Sequence, residues 1–262
     1  MDFILLDKIF QIARQKIFYL LMDFVSVLIW HLSTPATCQK RAVTFARSMV
    51  PILEWSRGPR QPEAPTFEAQ ITNALITRFS RMHPGLDLDI IVDNEPLISK
   101  GLQTGKGLII ATIHSQLALA AHGVRDLNGR PPLFVGNPHK NMSGWNWGSL
   151  EPLHALDARD GAILLNVRSA LKAGRVVIAF VDFREKYRGP LYISPNLFAL
   201  AHLHQIPVLH MLCTLDPHGS IKIDFGRDSC HLANHKEMAE SFSKFIETRL
   251  GVRLAIRRRK GT

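Results

Sequence analysis

The sequence predicts an α/β protein with a mostly parallel central sheet flanked by helices, preceded by an amino-terminal helical region. Three observations predict it. Short apolar runs rich in β-branched residues recur between residues 88 and 226, amphipathic stretches of helical period separate several of them, and a proline- and glycine-rich break isolates the first 65 residues. At 262 residues with 46% hydrophobic content, the chain is long enough to bury one sizeable core.

The segment Ile17–Leu32 (IFYLLMDFVSVLIWHL) is apolar enough for a membrane, yet it is short for a span and Asp23 interrupts it. A carboxylate at the bilayer centre costs about 2.5–3.5 kcal/mol on insertion scales, whereas a helix lying in the interface turns Asp23 toward water. Two uses of its apolar stripe stay open: an interfacial anchor, or a helix packed on the protein's own core. Asp2 and Asp7 precede this stretch and no small-residue cleavage site follows it, so it reads as a retained segment rather than a secretory signal.

Gly58–Pro65 (GPRQPEAP) marks a boundary. The predicted organisation is a membrane-associating helical region over residues 1–65 and an α/β domain over residues 66–262. FEAQITNALITRFSRM opens that domain as an amphipathic helix ended by Pro84 and Gly85. Strands are then predicted at Leu88–Asp93, Gly107–His114, Pro131–Gly136, Gly161–Asn166, Arg175–Asp182, Pro207–Leu215 and Ser220–Gly226. Continuous β-branched runs suit strands buried on both faces, and helices over Gln116–Val124, Ser169–Ala173, Pro195–Leu203 and Lys236–Leu250 supply the crossovers.

The formal net charge of +10 favours anionic partners without choosing among phospholipid head groups, phosphorylated substrates and nucleic acid. Cys38, Cys213 and Cys230 form no C-x-x-C pair, which points to a reducing compartment. Thr104–Gly107 (TGKG) lacks the upstream glycine and the following Ser or Thr of a phosphate loop and precedes a strand, so it is not one. His231 and His235 have the i, i+4 spacing of metal ligands, but no H-E-x-x-H accompanies them and no metal site is predicted. No helix-turn-helix, zinc-finger or RNA-recognition signature supports the nucleic-acid reading, which rests on charge alone.

Four segments then share an order. They are GKGLIIATIHSQLALAAHGV (Gly105–Val124), GNPHKN (Gly136–Asn141), LKAGRVVIAFVDFREKYRG (Leu171–Gly189) and LYISPNLFALAHLHQIPVLHMLC (Leu191–Cys213). Together they resemble the lipid A and lysophospholipid acyltransferase superfamily across about Leu88–Gly226. The resemblance implies a membrane-associated acyltransferase that moves a fatty acyl group from an acyl carrier protein or coenzyme A thioester to a hydroxyl or amine on a lipid-like acceptor. It implies no cofactor and a place at the cytoplasmic face of the inner membrane, peripheral or monotopic.

His114 ends a predicted strand at the edge where parallel sheets place ligands, and as a neutral imidazole it can take a proton from an acceptor hydroxyl. The family pattern has Asp or Glu five residues after that histidine, where this chain has Leu119. Asp182, at the end of another predicted strand, is the candidate substitute, and Asp126 in a loop is a weaker one. Arg184 and Arg188 are candidate phosphate-binding residues, because guanidinium groups suit bidentate phosphate contacts. Asn137 is a candidate acceptor contact on the strength of the resemblance. Trp145 and Trp147 suggest a loop that dips into a lipid interface, and the tail RLAIRRRK is a polybasic patch suited to anionic lipid. Two rival functions stay open: an acyltransferase-like lipid-binding protein that has lost catalysis through Leu119, and a basic nucleic-acid-binding protein.

Overall fold

The computed structural model describes residues 3–55, 67–82, 86–114, 117–123, 132–136, 154–157, 160–183, 191–226, 234–251 and 254–256. Helices α1 (Phe3–His31), α2 (Pro35–Trp55) and α3 (Phe67–Met82) come first, followed by β1 (Ile90–Asp93), α4 (Pro96–Leu102), β2 (Leu108–Thr112) and a 3-10 segment over Ala118–Gly123. Then come β3 (Leu133–Gly136), β4 (His154–Asp157), α5 (Ile163–Lys172), β5 (Val176–Phe180), β6 (Asp182–Phe183) and β7 (Tyr192–Ile193). The chain continues through α6 (Asn196–His204), β8 (Val208–Leu215), β9 (Ile221–Gly226), α7 (His235–Leu250) and β10 (Ala255–Ile256).

The main sheet has seven strands in the order β1-β9-β8-β2-β5-β3-β4. From β8 to β4 every neighbouring pair is parallel, whereas β9 returns antiparallel to β8 and β1 runs with β9. This is the mostly parallel α/β architecture predicted. Strand alternation explains its continuous apolar runs: Ile109 and Ala111 of β2 join the core under α5, α6 and α7, while Leu108 and Ile110 join the core under α3, α4 and the 3-10 segment.

Two predicted elements are corrected. Gly161–Asn166 is no strand; from Ile163 it is the start of α5, whose Val167 and Leu171 are buried while Ile163 and Ala170 pack partly against the same core. That spacing is helical, and a six-residue apolar run cannot display it. Gln116–Val124 forms only the 3-10 segment over Ala118–Gly123, among the described residues, rather than an α-helical crossover. The sequence reading also passed over α4, β4, β7 and β10, each too short or too polar to carry a period.

Gly107 shows why TGKG is glycine-rich. Its φ of +73° lies in the left-handed region, and a Cβ there would meet the Leu171 carbonyl oxygen at 2.7 Å and that of Arg175 at 2.9 Å. Gly107→Ala therefore adds a steric clash to an unfavourable backbone angle, and it lowers stability by at least about 2 kcal/mol, read as an earlier urea midpoint at unchanged slope.

α1, α2 and α3 share a core of Met22, Val25, Ile29, Cys38, Ala42, Ala46, Ile71, Leu75 and Phe79. α2 opens with Pro35 at a position suited to proline, and Thr34 and Thr37 exchange hydrogen bonds across the first turn. α2 ties this helical core to one edge of the sheet. Gln39 Nε2 donates to the carbonyls of Asp89 (3.1 Å) and Gly219 (3.0 Å), its Oε1 accepts from Asp89 N–H (2.7 Å), and Arg47 donates to the Pro217 carbonyl (2.9 Å). Pro217 and Gly219 belong to the turn that follows the carboxyl end of β8, and β8 runs parallel to β2.

α1 uses both of its faces. Met22, Val25, Ser26 and Ile29 are buried, while Ile17, Leu20, Leu21, Phe24, Val27 and Leu28 form a solvent-facing apolar stripe on the other side, with Leu20 68% and Phe24 69% exposed. Asp23, mostly exposed, pairs with the guanidinium of Arg78 on α3 at the margin between the two faces. Among the described residues no helix is long and apolar enough to cross a membrane. Cys38 and Cys213 are free and buried.

Candidate active site

β2 and β5 are parallel neighbours, with Thr112 in register with Phe180. Val181 N–H donates to the Thr112 carbonyl at 2.9 Å, which carries the ladder one step past the strands. One residue further, Asp182 on one side faces His114 on the other. Asp182 Oδ1 accepts the backbone N–H of His114 at 2.7 Å and lies 2.8 Å from its ring Nδ1. Both residues thus stand at the carboxyl edge of the sheet, the edge at which Gln39 and Arg47 of α2 hold the turn after β8.

The contact fixes the tautomer. A carboxylate offers only acceptors, so Nδ1 carries the proton and donates it to Asp182, which leaves the Nε2 lone pair free in the neutral ring. Nε2 takes no hydrogen bond from any described residue. The two environments are unequal: the Asp182 side chain is 7% exposed and that of His114 54%. Burial works against the imidazolium, but the hydrogen bond and the negative charge of Asp182 outweigh it and hold the His114 pKa above the ordinary 6.5. Asp182 is held in turn by the small sheet, where β6 pairs antiparallel with β7, with Asp182 opposite Ile193, and β7 pairs parallel with β10.

The Phe180 ring stacks on the His114 ring, with centroids 4.6 Å apart and planes at 22°. The sequence reading missed this aromatic contact, although Phe180 sits two residues before Asp182 and so projects from the same face of the strand.

The other predicted site residues are not brought into this account by the structure. Asn137 follows Gly136 at the end of β3, and Arg184 follows Phe183 at the end of β6, but Asn137, Arg184 and Arg188 lie outside the described residues, as do Asp126, Trp145, Trp147 and the basic tail from residue 257. The backbone of Leu119 lies in the 3-10 segment. In the histidine-rich carboxyl half, His210 is buried against the rings of Phe242 and Phe245, and the His202 and His235 rings are 6.5 Å apart. No three metal-ligating side chains converge among the described residues.

No protein-family model matches the chain. No curated protein matches it either. Among solved structures it is similar to the 1-acyl-sn-glycerophosphate (LPA) acyltransferase PlsC of Thermotoga maritima, at 15% sequence identity over 90% of this chain and 96% of that one, with a TM-score of 0.42. The sheet order and the His114–Asp182 contact stand independently of that likeness.

Proposed function

We propose that the protein is a membrane-associated acyltransferase in which His114 is the general base and Asp182 takes the place of the acid that Leu119 does not supply. The observation that carries this reading is the hydrogen bond from His114 Nδ1 to a buried carboxylate at the carboxyl edge of a parallel sheet, with no described residue hydrogen-bonded to Nε2. The motif resemblance around His114 points the same way.

In this reading Nε2 takes the proton of an acceptor hydroxyl or amine as its oxygen or nitrogen attacks the carbonyl carbon of an acyl thioester. The imidazolium that forms is stabilised by Asp182, general-base assistance worth about 10²–10⁴-fold in rate. Collapse of the tetrahedral intermediate breaks the carbon–sulfur bond, and the imidazolium returns its proton to the departing thiolate. The donor is a thioester of acyl carrier protein or coenzyme A, the acceptor a lipid or lipid-like molecule, and the chemistry asks for no cofactor. Arg184 and Arg188 are proposed to hold a phosphate of donor or acceptor, and Asn137 to contact the acceptor.

The solvent-facing stripe of α1 serves as the lipid contact, at the cytoplasmic face of the inner membrane where soluble thioester donors reach the edge that holds His114. Incubation with acyl-coenzyme A and acyl carrier protein thioesters of several chain lengths, together with extracted membrane lipids, tests the reading. Mass spectrometry should find a new acylated lipid that depends on protein and thioester together; binding of lipid without any acylated product favours instead a lipid-binding protein that has lost transfer. Since Nδ1 already has a carboxylate partner, Leu119→Glu leaves the transfer rate level or lowers it, and a severalfold gain in that assay would show that Asp182 does not fill the acid's role.

A further inference from the structure

The stack on His114 is built rather than incidental. Phe180 is the last residue of β5, and its ring faces His114 on one side and Phe134 of β3 on another, at 4.6 Å and 6.5 Å between centroids with both pairs near parallel. Gly136, at the end of β3, leaves the room: a Cβ there would meet Phe180 Cδ2 at 3.0 Å. Three adjacent strand ends therefore cooperate. The chain leaving β2 delivers the imidazole, β5 delivers the ring that covers one flat face, the start of β6 delivers the carboxylate that holds Nδ1, and β3 holds the ring from behind.

We infer that Phe180 is a positioning residue for His114, which pins the plane of the imidazole so that Nε2 keeps one direction and which favours the imidazolium by offering it an aromatic face. An aromatic face within about 6 Å attracts a cation, and a ring lying flat on another restricts its rotation about the Cβ–Cγ bond. Asp182 is the one ionisable group that the described residues place against the imidazole, and Phe134 and Phe180 are neutral, so the aromatic contribution separates from the charge contribution. The inference rests on His114 acting as the base, but part of its test does not.

The test compares wild type, Phe180→Leu and Phe180→Tyr. The His114 ring is titrated by NMR in each protein without substrate, and acyl transfer is then followed against pH. Phe180→Leu should lower the His114 pKa by about half a unit and lower kcat about tenfold at unchanged KM, whereas Phe180→Tyr keeps both near wild type. A Phe180→Leu titration curve that superimposes on wild type overturns the inference, and so does equal loss in Phe180→Tyr, which would mark a packing role only. If no variant, wild type included, transfers an acyl group, the titration still decides the stack while the proposed enzymatic role of His114 fails separately.

Discussion

Asp182→Asn lowers the acyl-transfer rate by about 10²-fold with little change in KM, because an amide keeps the local geometry while removing the charge that stabilises the imidazolium. The asparagine oxygen can still accept the backbone N–H of His114, so the strand ends stay joined. That one oxygen also faces Nδ1, so it can keep accepting the Nδ1–H and the ring keeps its tautomer. What is lost is the carboxylate charge that stabilises the imidazolium. Burial then acts on the ring alone, so the His114 pKa falls below its raised wild-type position. Transfer by wild type fades as pH drops through a value above 6.5, since the neutral ring is the active form; in Asp182→Asn that acid limb moves to lower pH beneath a far lower plateau. Rate against pH from 5 to 9 for both proteins checks the two effects together. An Asp182→Asn protein within tenfold of wild type would remove the carboxylate from the mechanism.

Leu20→Glu, Phe24→Glu and Leu28→Glu introduced together release the protein from membranes while leaving it folded. All three side chains lie on the exposed stripe of α1 and contribute nothing to the buried core among Met22, Val25 and Ile29. Surface substitutions of this kind change stability by about 0.5 kcal/mol or less each, whereas withdrawing a Leu or Phe side chain from water contributes about 1.5–3 kcal/mol. Losing even two such contacts weakens association by about 100-fold or more. Co-flotation with vesicles containing anionic phospholipid measures it. Wild type should float with the vesicles and the triple variant should stay at the bottom with an unchanged urea midpoint. A triple variant that floats like wild type would assign the lipid contact to another part of the chain.

Much of the architecture was legible because burial on both faces leaves a plain mark. Leu108–Ala111 of β2 and Val176–Ala179 of β5 are continuous runs of Val, Ile, Leu and Ala, and such runs have few other uses in a chain this long. That His114 and Asp182 share an edge was legible for the same reason, since two polar residues that each close such a run fall on one edge whenever the strands are parallel; their direct contact depends on register. What the sequence did not disclose required information beyond the local window. The apolar start of α5 shows its helical face only through Val167, Ala170 and Leu171 downstream, and β4 (His-Ala-Leu-Asp) is an edge strand too polar to read as one. The place of Phe180 depends on the register that sets Thr112 opposite Phe180, and register is a property of paired strands, not of either alone. Asp23 is mostly exposed, and its partner Arg78 lies 55 residues away in sequence, beyond any local window.

If the imidazole of His114 accepts the proton of the group being acylated, replacing it removes transfer. Wild type and His114→Ala, matched for fold by circular dichroism and urea midpoint, are incubated with the same acyl thioester and membrane lipids while released thiol and acylated lipid are followed. Wild type should turn over and His114→Ala should lose about 10²–10⁴-fold, with thiol and acylated product falling in step. Equal turnover by the two proteins would contradict it.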